Sequence, residues 1–300
     1  MGHDHDHGTP DFSRAFAIGV ALNLGFVAVE AFYGYRAHSL ALIADAGHNL
    51  SDVAGLLLAW GAGILANRRP TARRTYGLRR SSILAALGNA LLLLIAVGAI
   101  AWEAFRRFQQ PQAVATGVVI LVALVGIGIN TTTALLFLRG RKQDLNIRGA
   151  FLHMGADAAV SAGVVVAALV MQRTGWLWLD PAVSMGIVVV ITVGTWELLR
   201  DSVNLALDAV PEGIEPKVVE DYLAHLPGVT AVHDLHIWGM STTHVALTAH
   251  LVKPVPSDED VLLATACREL HDRFGIEHAT LQIERDAGAA NCSLAPVEVI

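Results

Sequence analysis

Ala41-Leu-Ile-Ala-Asp45-Ala-Gly-His48-Asn-Leu-Ser-Asp52 sets a histidine and an aspartate four residues apart inside a run of small, apolar residues. Phe151-Leu-His153-Met-Gly-Ala-Asp157 repeats that spacing later in the chain. In a helix, residues four apart stack on one face, so each segment offers an imidazole beside a carboxylate. Two such helices facing each other supply two nitrogens and two oxygens, a tetrahedral set suited to Zn²⁺ or a similar divalent ion. Ionisable residues inside a membrane span are costly and mark function by default. Asp45 lies one turn before His48, where it would accept a hydrogen bond from the imidazole and fix its tautomer.

Composition places both segments in a membrane. Of 300 residues, 54% are hydrophobic and only 16% charged, against roughly 25% charged in soluble domains. The deficit falls in the first two-thirds of the chain. Six apolar stretches approach the roughly 20 residues a spanning helix needs: about 13–35, 39–66, 81–105, 113–138, 148–171 and 176–200. The expected fold is therefore an α-helical membrane protein of six transmembrane helices over 13–208, followed by a small soluble α+β domain over 209–286. Tails of 1–12 and 287–300 flank them.

Basic residues set the orientation. The connections after the second and fourth stretches carry Arg68, Arg69, Arg73, Arg74, Arg79, Arg80, Arg139, Arg141, Lys142 and Arg148; the alternate connections carry only Arg36, Arg106, Arg107 and Arg173. The positive-inside rule puts the basic connections and both termini in the cytoplasm. The arginine run is read as this topology signal and not as a nucleic-acid site; lipid surrounds the spans. Trp102, Trp176 and Trp178 fit an interfacial aromatic belt. No secretory signal opens the chain; His3, His5 and His7 belong either to a metal-attracting tail or to a remnant of a purification tag. Cys267 and Cys292 form no disulfide framework and suit a reducing cytosol. Glu30, Glu103 and Asp180 are read as packing or interfacial groups.

The soluble portion reads as α–β–β–α–β. Pro216 opens a helix through Leu226. Strands are expected over Val229–Trp238, His244–Val252 and Ala279–Glu284, and Ser257-Asp-Glu-Asp260 resembles a capping box before a helix ending near Gly275. Alternation puts Val245, Leu247, Ala249 and Leu251 on one face of the second strand, so His250 and Glu284 share the opposite kind of face. His236 is expected to point away from them, beside Trp238.

Three runs together resemble the cation diffusion facilitator family, most closely its bacterial zinc, cadmium and cobalt efflux branch. They are Ser39-Leu-Ala-Leu-Ile-Ala-Asp-Ala-Gly-His48-Asn-Leu-Ser-Asp52, Arg73-Arg-Thr-Tyr-Gly-Leu-Arg-Arg-Ser-Ser-Ile-Leu-Ala-Ala-Leu-Gly-Asn-Ala90 and Val232-His-Asp-Leu-His-Ile-Trp238. The resemblance covers nearly the whole chain. It implies a metallochaperone-like cytoplasmic domain, a homodimer in the inner membrane, and exchange of a divalent metal for protons. It assigns transport to His48, Asp52, His153 and Asp157, with zinc as substrate and as a regulatory ligand. His233 matches a family histidine and would join His250 and Glu284 in a cytoplasmic site; ordinary polar surface is the other reading of those three. Arg80 and Asp208 align with a charge pair between helices, a role for which Arg79 competes. The connection from Asn67 to Thr75 has neither Asp nor His, so no metal is expected there.

Three other readings compete. The same fold could carry Cd²⁺, Co²⁺, Ni²⁺ or Fe²⁺, since ligand type does not separate these ions. A non-transporting membrane metal sensor would work through the tail domain alone. An intramembrane metallohydrolase would need an open coordination position and a general base, and no His-Glu-x-x-His is present.

Overall fold

The computed structural model describes residues 13–66, 68–137, 145–256 and 258–285. The histidine-rich tail, Arg139, Arg141 and Lys142, and the tail with Cys292 lie outside the described residues.

Six long helices come first: α1 Ser13–Arg36, α2 Leu40–Ala66, α3 Ser81–Gln109, α4 Thr116–Phe137, α5 Leu145–Thr174 and α6 Leu179–Ala206. Among the described residues, four meet the length and hydropathy a span requires on their own: Ser81–Gln109, Thr116–Leu135, Phe151–Thr174 and Leu179–Ala206. α1 and α2 have 24 and 27 residues, about 36 and 40 Å at 1.5 Å per residue. They also carry Glu30, Asp45 and Asn49, all buried.

The chain divides into two compact units, one of Met1–Leu57 with Asn89–Glu197, the other of Leu58–Gly88 with Leu198–Ile300. In the first, Phe26, Leu42, Val119, Val122, Val164, Met171 and Ile187 form a shared core. Small residues let the helices close up: a Cβ on Gly126 of α4 would lie 2.7 Å from Cζ of Phe26 on α1. Large apolar side chains such as Leu92, Ile95, Trp102, Leu121 and Val193 face outward, as lipid-facing helices require. The N-terminus of α2 is fastened by α6. Ser39 Oγ and the backbone N–H groups of Leu40 and Ala41 all donate to the Asp180 carboxylate, at 2.7, 2.8 and 3.2 Å. Arg107 of α3 approaches the same carboxylate at 3.6 Å and donates to the carbonyl of His38. This bears on Asp180 as a packing group: it caps a helix whose first N–H groups have no partner within it.

The second unit holds α7 Pro216–Ala224, β1 Ala231–Gly239, β2 Val245–Val252, α8 Glu259–Phe274 and β3 Ile276–Glu284. The sheet order is β1-β2-β3, with β1 antiparallel and β3 parallel to β2. A parallel pair needs a crossover, and α8 supplies it. Val219, Leu223, Ile237, Leu247, Leu251, Leu262 and Leu270 fill the core beneath one sheet face. Several local expectations shift. α7 stops at Ala224, with His225 as its C-cap. β3 begins three residues early, straight from Gly275, whose φ of 67° ends α8. The helix α8 is capped by Asp258, whose side chain accepts from Val261 N, within the expected opening stretch; Ser257 lies outside the described residues.

Candidate metal centres

The His-x-x-x-Asp segments fall on α2 and α5, and the structure brings all four side chains together. His48 Nε2 lies 3.2 Å from Asp157 Oδ1, and His153 Nε2 lies 3.1 Å from Asp52 Oδ2 and 3.6 Å from Asp157 Oδ2. His48 Nδ1 is 3.9 Å from Asp52 Oδ2, and the two imidazole centroids are 6.1 Å apart. One ligand atom each from His48, Asp52 and Asp157 lies within 4.8 Å of the others. Metal bonds of about 2.0–2.2 Å put tetrahedral ligand atoms roughly 3.3–3.6 Å apart, within about 0.2 Å of the three shorter contacts at 3.1, 3.2 and 3.6 Å. Each carboxylate lies between both imidazoles, so the four groups close into a ring. Access is graded around it: the Asp157 side chain is 2% exposed, His48 17%, Asp52 30% and His153 42%. The site is sealed at Asp157 and open beside His153.

Asp45 is placed differently from its expected role. Its Oδ2 accepts from Ser161 Oγ at 2.9 Å, and its carboxyl group lies against that of Glu30. The donor that reaches Asp45 is thus the Ser161 hydroxyl of α5.

The cytoplasmic trio also converges. His233 Nε2 is 3.0 Å from Glu284 Oε2, and His250 Nδ1 is 2.8 Å from Glu284 Oε1. Ligand atoms of all three residues lie within 4.8 Å of one another. Burial alone would raise the Glu284 carboxyl, but hydrogen bonds and charge from His233 and His250 outweigh it and hold it below its ordinary value.

Strict alternation does not account for this meeting. β1 has an irregularity between His233 and His236, and Asp234 within it has a φ of 52°. Such an extra residue reverses the alternation. His233 pairs with His250, and His236 with Thr248 two residues away; cross-strand partners share a face, so His236 lies on the same face as His233. The expectation that it points away is corrected. Asp234 itself is a site residue that alternation hides. Its Oδ1 is 3.0 Å from His236 Nε2, and its Oδ2 is 3.6 Å from His250 Nε2. The available signal was the residue type, since Asp tolerates positive φ better than most.

Arg80 Nη2 pairs with Asp208 Oδ1, both side chains about half exposed. Asp208 has a φ of 61° just after α6. Nearby, Ser82 Oγ accepts from Thr242 N at 3.1 Å, and the Tyr76 ring meets His278 edge-on at 5.5 Å.

Comparison with known proteins follows the same division. The cation efflux transmembrane domain matches residues 16–205, and the cation efflux protein cytoplasmic domain matches 211–286. The metal cation efflux system protein CzcD of Cupriavidus metallidurans is 35% identical over 284 residues, 94% of this chain and 90% of that one. The zinc transporter ZitB of Escherichia coli is 36% identical over 293 residues, covering 95% and 93%. The cadmium, cobalt and zinc/H(+)-K(+) antiporter of Bacillus velezensis is 33% identical over 292 residues, covering 96% and 93%.

Proposed function

Because the chain belongs to the cation efflux family, a family of membrane transporters and not enzymes, we propose that it exports Zn²⁺ from the cytosol in exchange for protons. The observation that carries this reading is the closed ring of His48, Asp52, His153 and Asp157. Two imidazoles and two carboxylates match zinc's preference for nitrogen and oxygen in tetrahedral array. Metal requires neutral imidazole and ionised carboxylate, so protons and metal compete for the same atoms. That competition is the coupling: metal enters from the cytosolic side and protons replace it from the other. Cd²⁺ and Co²⁺ are the nearest alternative substrates, named with zinc for the Bacillus velezensis relative.

The rest of the molecule supports that role. α1 and α2 join the four apolar helices to make six spans over 13–208, and 209–286 forms the metallochaperone-like cytoplasmic domain. That domain pairs two copies into a homodimer, consistent with the match to a cytoplasmic cation efflux domain. His233, His250 and Glu284 bind a regulatory zinc ion, with Asp234 orienting His250. The basic connection from Arg68 to Arg80 belongs to the same compact unit as the tail domain, which agrees with both termini on the cytoplasmic face of the inner membrane. Arg80 and Asp208 join the ends of α3 and α6 there.

The test is metal uptake by proteoliposomes under an imposed pH gradient, with Zn²⁺, Cd²⁺, Co²⁺ and Mn²⁺ compared and Asp157→Ala run beside the wild type. Zinc movement that follows the gradient and disappears in the variant supports the antiporter. Zinc binding without gradient-driven movement favours a membrane sensor instead.

A further inference from the structure

Beside the metal ring, α1, α2 and α5 enclose a second polar group that the ring does not use. Glu30, Asp45 and Ser161 are fully buried, and Asn49 nearly so. Asn49 Nδ2 donates to Glu30 Oε2 at 3.2 Å, and Ser161 Oγ donates to Asp45 Oδ2 at 2.9 Å. One oxygen of each carboxyl group is thereby satisfied by a neutral donor. The other oxygens, Glu30 Oε1 and Asp45 Oδ1, are buried without a donor, although the two carboxyl groups lie against each other. A buried acceptor left unpaired is unfavourable, and two adjacent carboxylates cannot both stay ionised in a low-dielectric interior without a cation. The ionisable groups of α2 and α5 in electrostatic reach are His48 and Asp157. Both ring nitrogens of His48 already face the ring carboxylates. The packed helix α4 carries no ionisable residue.

We propose that Glu30 holds a proton shared with Asp45, and that this proton is released when a divalent cation enters the neighbouring ring. The O–H bond of the Glu30 carboxylic acid breaks, its electron pair stays on the carboxylate, and the proton passes to solvent. Two neutral imidazoles and two carboxylates sum to a charge of −2, which a bound divalent ion brings to zero. Removing that negative charge eases ionisation of the neighbouring acid. The exchange would then include a proton-carrying group that never touches metal. This release rests on the ring being the metal site, whereas the shared proton in the metal-free protein does not.

Infrared spectroscopy of the purified full-length protein separates the two. Metal-free wild type is expected to show a protonated-carboxyl stretch that shifts in D₂O and falls when Zn²⁺ is added. Glu30→Gln should lack that component, still bind zinc, and release about one proton fewer per zinc in calorimetry across buffers of different ionisation enthalpy. No such band in the metal-free wild type overturns the shared proton, whatever the folding of the variant. A band that survives Glu30→Gln, or one indifferent to the zinc equivalent that wild type binds and Asp157→Ala does not, also overturns the proposal. Asp157→Ala tests the ring separately: it should lose the ring's zinc, keeping only the ion held by His233, His250 and Glu284, while keeping the metal-free band.

Discussion

Asp157 is the most buried member of the ring and the one carboxylate in contact with His48 at 3.2 Å while still reaching His153. Removing it deletes a ligand and leaves His48 without its closest partner. Outer-sphere partners alone alter metal affinity by roughly 10–100-fold, so Asp157→Ala should weaken zinc binding to the ring by more than about 100-fold in equilibrium dialysis. Asp234 offers a graded comparison, because it touches a proposed ligand and not the metal. Asp234→Gly preserves the positive φ at no steric penalty but removes the carboxylate facing His250 Nε2. In a His48→Ala/Asp157→Ala background, where only the cytoplasmic site remains, this change should lower zinc affinity by about 10–100-fold; unchanged affinity would show that Asp234 serves the bulge alone. The two residues also differ in how visible they are beforehand. The period of a helix announces Asp157 from sequence, because His-x-x-x-Asp puts both groups on one face. Asp234 is concealed because it breaks the period of two on which strand reading depends.

At the scale of elements, helix ends carry the unexpected chemistry. Asp180 caps α2 from a position 140 residues away along the chain, which no local pattern can announce. A capping side chain is worth about 1–2 kcal/mol, and Asp180→Ala also leaves the buried Arg107 facing only the His38 carbonyl and Glu103. A loss of at least about 2 kcal/mol is expected, read as a lower melting temperature of the detergent-solubilised protein. The order of helices and strands was legible because each has a strong apolar period. The ends were less so: α7 stops two residues before its expected limit and β3 begins three residues early, because His225 caps α7 and Gly275 ends α8 and starts β3 at once. Glu30 and Asp45 were legible as polar interruptions of apolar stretches, but their burial side by side was not, because it depends on how α1 and α2 pack.

For the whole molecule, the proposed exchange ties metal and protons to one linkage. Each proton displaced on binding makes apparent zinc affinity fall about tenfold per unit of falling pH once the ligands protonate. Zinc titrations between pH 8 and pH 6 should therefore show affinity dropping with acidity, and an affinity flat over that range would contradict proton–metal competition. Zinc should also raise the melting temperature in proportion to the logarithm of its concentration. The Arg80–Asp208 pair belongs to a different class. Both side chains are about half exposed, so Arg80→Ala should change stability by less than about 1 kcal/mol even where transport is affected.

The fastening of α2 at its start has a mechanical meaning. Asp180 holds Leu40, while Asp52 lies twelve residues further along the helix, about 18 Å away at 1.5 Å per residue. A rod anchored at one end pivots there, and a swing of about 10° carries its far point through roughly 3 Å over that length. The contact between Asp52 and His153 is 3.1 Å. A tilt of that size about Leu40 is thus enough to part Asp52 from His153, so the geometry lets the ring open by rotation of α2 and without unfolding.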